Sequence, residues 1–341
     1  MANLQDVAKA AGVSKTTVSR FLNGSLDLPA KTAEQINGAI RALNYKPNPH
    51  ARRLSLGRTD TIGLIVPDIA TPFFATLVAA VEEEADARGK TLALHATLNR
   101  RDREFSYIDL VRQGHADGLI FITNHQGDAA LAERINGAGP CVVVDEDVVG
   151  AQVSKLFCDN YEGGRLAGRH LAQAGHRHVL FIGGVDEMIS GQRRFGGFTA
   201  GMAEVGGPDC VIERATGAYT FDVGRAAARA FVARPRDSRP TAIFASSDEL
   251  VIGLYEVLRA SGVSVPEDLS VVGFDDVGPL HLFAPAVTAV RQPVRELGRR
   301  ALCLLLDPPA PSEGTKLPQE ELLPVTLVER ASVGPPARTA L

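Results

Sequence analysis

The chain has 341 residues, 45% of them hydrophobic, which exceeds a lone DNA-binding module and leaves room for a small headpiece plus a body of one or two domains. The formal net charge is −4, but nine Lys and Arg against three Asp and Glu give residues 1–58 a charge of +6 and leave −10 for the rest, the pattern of a phosphate-neutralising arm on an acidic body. No run approaches the roughly 18 apolar residues of a membrane span, and the N-terminus, with Asp6 and Lys9 near its start, lacks the apolar core of a signal peptide, so a cytoplasmic protein with no membrane partner is expected.

Leu4, Val7, Ala8 and Ala11 recur at i, i+3, i+4 and i+7, the stripe of one buried helix face. Gly12 can take the left-handed conformation that stops that helix, and Ser14 is suited to cap the next. In the second helix Val18, Phe21 and Leu22 are expected to face inward while Thr16, Ser19, Arg20 and Asn23 line up outward. A row of donors and acceptors with one Arg suits base edges in a major groove, so Leu4 to Asn23 reads as a helix-turn-helix. Ala33, Ile36, Ile40 and Leu43 predict a third helix closing the core. The run Asn44-Tyr45-Lys46-Pro47-Asn48-Pro49 breaks it and starts a connector. Asn48 can cap, and Pro49 can open, a short helix through Ser55 with Gly57 as its stop; about eight residues are marginal alone in water, so this helix orders only with support.

From Thr61 onward strand-like runs alternate with amphipathic helices. The expected strands include Ile62 to Val66, Thr91 to Ala96, Leu119 to Ile122, Cys141 to Val144, Val179 to Ile182, Ala242 to Ala245 and Ser270 to Gly273, with helices from Pro72 to Arg88 and near Arg103 to Gln113. Repeated βα units imply parallel sheets covered on both faces, and a near-repeat of the plan from about Tyr161 implies two lobes. Ligands of such sheets bind beyond the carboxyl ends of the strands, which places the default site in the cleft between lobes. The four cysteines, Cys141, Cys158, Cys210 and Cys303, form no CxxC pair or Cys/His cluster and read as buried structural thiols; no metal and no cofactor is expected.

The segments DVAKAAGVSKTTVSRFLN, NYKPN, ARRLSLGRTDTIGLIVPD, DGLI, DNYEGGRLAGRHL, GHRHVLFIGG, RFGGF, SSDELVIG, VVGFDD and LVERAS, in this order from Leu4 to Ser332, resemble the lactose-repressor (LacI/GalR) family of transcription regulators. The resemblance implies a fold of class α/β: a three-helix helix-turn-helix headpiece (1–46), a linker and hinge helix (47–60), and a two-lobed body like the type I periplasmic sugar-binding proteins (61–333), followed by a tail (334–341). The N-lobe spans about 61–159 and 290–322, the C-lobe about 160–289 and 323–333, with three crossovers near Asn160, Val290 and Leu323. It assigns operator contact to Ser14, Lys15, Thr16, Thr17, Ser19, Arg20 and Asn23. Of these, Lys15, Thr16 and Arg20 match base-choosing positions, and the others match phosphate anchors. Leu54 matches the side chain the family wedges between bases in the minor groove at the operator centre.

For the cleft, the resemblance singles out Phe73 and Phe74, which can stack on a sugar ring, Asp145 and Asp275, whose carboxylates can accept from neighbouring hydroxyls, and Arg194, whose planar fork can hold a sugar oxygen or a carboxylate. Tyr219 and Ser247 complete the expected effector site, Ser247 standing where many sugar binders have Asn. Glu146 stands where a purine-responsive relative has an aromatic, which disfavours a flat base, and with Asp145, Asp275 and Arg194 it suggests a polyhydroxylated effector such as a sugar or sugar derivative; whether that effector carries a carboxylate turns on where Arg193 points. GxSxG, HExxH, Walker A and GxGxxG are absent, Gly183-Gly184 reads as a tight turn, and Asp275 and Asp276 are expected to point different ways, so the chain reads as no enzyme. The reading is a homodimeric repressor of a palindromic operator on double-stranded DNA, controlled by a small effector. Its rivals are the same regulator with the ligand as corepressor, and a sugar-binding protein without a regulatory role, which the basic headpiece opposes. The tail VGPPARTAL lacks leucine heptads, which argues against the C-terminal tetramer of some relatives.

Overall fold

A computed structural model describes residues 2–24, 26–46, 58–125, 128–308 and 318–337, in two compact units, Met1–Thr59 and Asp60–Leu341. In the first unit α1 (Leu4–Ala11) opens on a reciprocal capping box. Asn3 Oδ1 accepts from the N–H of Gln5 at 2.8 Å and of Asp6 at 3.2 Å, and the Asp6 carboxylate accepts from Asn3 N–H at 2.9 Å. Gly12, at φ 66°, ends α1, and Ser14 Oγ accepts from Thr17 N–H at 3.0 Å to start α2 (Lys15–Leu22). With α3 (Ala30–Ala42) these helices bury Val7, Ala8, Ala11, Val18, Ile36 and Ala39, and Leu4, Phe21, Leu22 and Ile40 pack at the edge. The expected stripe on α3 is corrected at its end: Leu43 caps the helix and is 36% exposed, and Ala39, one turn earlier, faces the core instead. The expected hinge helix and Leu54 lie outside the described residues.

The body alternates as expected: β1 (Thr61–Val66), α4 (Pro72–Ala87), β2 (Thr91–Ala96), α5 (Arg101–Arg112), β3 (Gly118–Phe121), α6 (Ala129–Asn136), β4 (Cys141–Val144) and β5 (Ser154–Cys158). There follow α7 (Asn160–Gln173), β6 (His178–Gly183), α8 (Ile189–Gly206), β7 (Val211–Thr216), α9 (Phe221–Val232), β8 (Ala242–Ala245), α10 (Asp248–Ala260), β9 (Ser270–Asp275), β10 (Thr288–Arg291), α11 (Val294–Leu306), β11 (Glu320–Leu323) and β12 (Thr326–Val328). Two six-stranded sheets result, in the orders β11-β5-β4-β3-β1-β2 and β12-β10-β9-β8-β6-β7. All pairings are parallel except β10 with β12. Inner strands such as β1 and β4 are buried along their whole length because helices cover both faces, which is why they are near-continuous apolar runs rather than alternating patterns. The chain passes between the sheets three times: from β5 into α7, from β10 into α11, and from β11 into β12.

Two glycine pairs set the closest helix contact. A Cβ on Gly164 or Gly168 of α7 would lie 2.0 or 2.3 Å from a backbone oxygen of α8, and one on Gly197 or Gly201 would lie 1.9 or 2.1 Å from a backbone oxygen of α7. Only hydrogen fits at those four positions. The closing LVERAS segment is fastened to the second sheet: Ser332 is fully buried, donates to Val271 O at 2.6 Å and accepts from Thr288 N–H at 2.8 Å. Gly334, read as the first tail residue, is tied down as well, accepting from His176 Nε2 at 3.0 Å and donating to Ser270 Oγ at 3.0 Å. Cys141, Cys158 and Cys303 are buried and Cys210 is half-buried; none is in a disulfide.

Candidate functional site

In the headpiece, Ser14, Lys15, Thr16 and Arg20 are exposed on α2 and its cap, while Thr17, Ser19 and Asn23 are half-buried. Ser14 and Thr17 share a hydroxyl hydrogen bond of 2.8 Å besides the cap, so part of their capacity is used in starting the helix. The face that remains presents a Lys, a Thr and an Arg above the apolar face anchored by Val18.

In the body, a cleft of about 250 Å³ is lined by all seven residues expected there, Phe73, Phe74, Asp145, Arg194, Tyr219, Ser247 and Asp275. Phe73 and Phe74 open α4 behind the Thr71 cap and Pro72, and their rings meet edge to face at 5.2 Å. Asp145, just past β4, and Asp275, the last residue of β9, hold left-handed backbones at φ 71° and 75°, a conformation Asp tolerates because its short side chain can bond locally. Ser247 caps α10, its Oγ accepting from Leu250 N–H at 3.3 Å.

Arg194 is 4% exposed. It donates from Nε to Asn160 Oδ1 at 2.8 Å and from Nη1 to Ser246 O at 2.5 Å, and Nη1 lies 3.6 Å from Asp275 Oδ1. Its guanidinium sits 3.9 Å from the centre of the Phe274 ring. Asp275 in turn accepts from Gln292 Nε2 at 2.6 Å. The adjacent Asp276 points elsewhere, to Arg291 and Arg330, as expected of neighbours at a strand end. Arg193 does not line the cleft; its guanidinium lies 5.7 Å from the Phe157 ring centre.

Two sequence expectations are corrected. Glu146 does not line the cleft. It is 2% exposed and accepts from Ile189 N–H at 2.7 Å, Ser190 N–H at 3.3 Å and Ser190 Oγ at 2.6 Å, so this N-lobe carboxylate caps α8 of the C-lobe and bridges the two. Gly183 and Gly184 form no tight turn; the turn falls at Asp186 and Glu187, and Gly184 is small because a Cβ there would lie 2.7 Å from the Tyr219 ring and hydroxyl.

Sequence reasoning missed Asp68, Asn99, Asn124, Ser190, Glu249 and Gln292, which also line the cleft. Glu249 stands two residues past Ser247 in SSDEL, where it reads as an ordinary first-turn acid, and Gln292 falls in a crossover with no motif. Burial pushes the carboxyls upward: Asp145 to about 7, opposed by Arg194, Glu249 to about 7, with Asp275 adding to the rise, and Asp248 to about 8, helped by Asp275. Asp248 is not free for ligand, since it accepts from the N–H groups of Asp276, Val277 and Gly278 at 3.2, 3.1 and 2.6 Å. Asp145 Oδ1, Gln292 Oε1 and the Tyr219 hydroxyl are buried without a partner. Acceptors, aromatic faces and one anchored Arg can hold a ring bearing several hydroxyls. Among the described residues no His, Cys, Asp and Glu group could hold a metal, and no helix is long and apolar enough to cross a membrane.

Residues 3–48 match the family described as bacterial regulatory proteins, lacI family, and residues 169–333 match the periplasmic binding protein-like domain. The chain is 35% identical over 339 residues to the HTH-type transcriptional repressor PurR of Erwinia tasmaniensis, covering 98% of this chain and 97% of that one. It is 33% identical over 301 residues to the HTH-type transcriptional regulator DegA of Bacillus subtilis, covering 86% and 88%. Among solved structures it resembles the lac repressor dimer bound to operator and the anti-inducer ONPF, with TM-score 0.81, 26% identity and coverage of 98% and 99%. It also resembles the transcriptional regulator CelR in complex with cellobiose, with TM-score 0.70, 32% identity and coverage of 97% and 100%.

Proposed function

The chain belongs to the lacI family of bacterial regulatory proteins, and from that premise we propose that it is a cytoplasmic transcriptional repressor that binds a palindromic operator as a homodimer and answers to a polyhydroxylated effector in its cleft. The observation that carries the reading is α2 itself: one face closes the headpiece core through Val18, and the opposite face exposes Lys15, Thr16 and Arg20. Lys15, Thr16 and Arg20 choose bases; Ser14, Thr17, Ser19 and Asn23 fix the helix on phosphates. A two-fold dimer presents two such helices to the two half-sites.

The division of labour follows the chain. Residues 1–46 read DNA, 47–60 link headpiece to body and bring Leu54 to the operator centre, and 61–333 bind effector and dimerise, with the tail starting at 334. Ligand in the cleft touches both lobes, since Asp145, Phe73 and Phe74 belong to the first sheet's side and Arg194, Tyr219 and Asp275 to the second. Binding that favours one lobe arrangement shifts the equilibrium between operator-bound and free protein. A coupling of about 1–3 kcal/mol changes operator affinity about 5–150-fold. The cleft's acceptors and aromatic faces support a sugar or sugar derivative, as does the likeness to CelR with its cellobiose. Selection of preferred duplexes from a random library, followed by Arg20→Ala, tests the DNA reading. The variant loses about 1–3 kcal/mol on the selected site and relaxes one position of each half-site. Equal loss on every sequence contradicts base reading by Arg20.

A further inference from the structure

The cleft holds an imbalance of charge. Four carboxylates, Asp68, Asp145, Glu249 and Asp275, face it against one guanidinium among the described residues, and that guanidinium is committed to Asn160, Ser246 O and Asp275. Asp275 is thereby matched. Asp68, Asp145 and Glu249 form no ion pair among the described residues, and the next arginine along the chain, Arg193, lies against Phe157.

A second, independent feature points the same way. Gln292 is 3% exposed, and because its Nε2 is held by Asp275 at 2.6 Å, the end left over is Oε1, an acceptor buried without a partner and lining the same cavity. Asp145 Oδ1 is a second buried acceptor with no partner. Orphaned buried acceptors call for a ligand rich in donors.

We propose that the cleft selects an effector bearing a protonated amine, an amino sugar or comparable polyhydroxylated amine, and that Glu249 sets this selectivity. This rests on the polyhydroxylated-effector reading above and narrows it. Asp248, beside Glu249 in the first turn of α10, already satisfies three backbone N–H groups, so stabilising this corner of the fold does not need a second acid. An ammonium gives Glu249 the counter-charge it lacks, in a charge-assisted bond stronger than one from a hydroxyl. The aromatic rings of Phe74, Tyr219 and Phe221, which line the same cleft, favour a cation over an anion. A carboxylate or phosphate in that place would face Glu249 and Asp145 with no free cation among the described residues to receive it.

The test uses the full-length chain and matched triads of gluco, galacto and manno configuration, each a hexosamine, its parent hexose and its uronic acid, measured by titration calorimetry. In the configuration that binds, the hexosamine is favoured over the hexose by about tenfold and the uronic acid is weakest. Glu249→Gln collapses the amine-to-hexose ratio toward one, a change that a general loosening of the cleft would not produce. The ranking within the wild-type triad stands as a test even where the variant does not fold. A uronic acid that binds as well as its hexose, or a ratio unmoved by Glu249→Gln, overturns the proposal while leaving the sugar reading intact. Absence of binding by every sugar overturns both.

Discussion

At the scale of single residues, the cleft is built on side chains held where they are costly. Asp145 has a left-handed backbone and a buried oxygen with no partner, and burial lifts its carboxyl from 3.8 to about 7. Between those values the folded chain keeps a proton that the unfolded chain has released. The stability this confers is full below about pH 4 and is lost as pH rises through about 7. Asp145→Asn keeps the shape, tolerates the same backbone and is neutral throughout, so its melting temperature relative to wild type rises between about pH 5 and pH 8 without ligand. Paired melting curves check this; a gap that stays constant over that range contradicts the assigned burial of Asp145. Glu146, next in the chain, is spent differently, on α8, so two adjacent acids serve cleft and scaffold respectively.

At the scale of elements, the contact of α7 with α8 positions the site, because Arg194 rides on α8 and reaches Asn160 at the start of α7. Gly197→Ala would put a methyl 1.9 Å from Tyr161 O, so the helices must part. Overpacking of this kind costs about 1–3 kcal/mol, and the variant weakens effector binding along with stability. Gly38→Ala in α3, where nothing lies within 4 Å and the backbone is ordinary helix, is the control and stabilises by about 0.5–1 kcal/mol. Denaturant titration of both variants separates the cases; a Gly197→Ala chain as stable as wild type contradicts the close approach.

Elements of this kind were legible to unequal degrees. Strands such as β4 could be read because a strand buried on both faces must be a continuous apolar run, and Asp145 and Asp275 were found because they stand at the ends of such runs. The spacing Gly164, Gly168 and Gly197, Gly201 carried the helix contact in plain view, but small residues four apart do not say which helix they meet. Glu249 and Gln292 were missed because a first-turn acid and a crossover amide look solvated until the sheets are brought together. Glu146 joins the expected cleft through the family resemblance alone, and its place beside a strand end says nothing of which lobe its side chain will reach.

At the scale of the whole molecule, a basic segment of +6 precedes an acidic body whose cleft is lined from both sheets. The chain connects those sheets three times, so a change in how the lobes meet is carried by covalent as well as packed contacts within the body. The claim on which the rest depends is that sequence-specific DNA binding and cleft occupancy are coupled. Its most direct measurement is the affinity of the purified full-length chain for duplexes selected from a random library, against random competitor at moderate ionic strength, with and without the sugar that binds best. The account predicts a palindromic site bound at least about 10³-fold more tightly than competitor, and a shift of about 5–150-fold on adding that sugar. No preference for any duplex, with or without sugar, would contradict it.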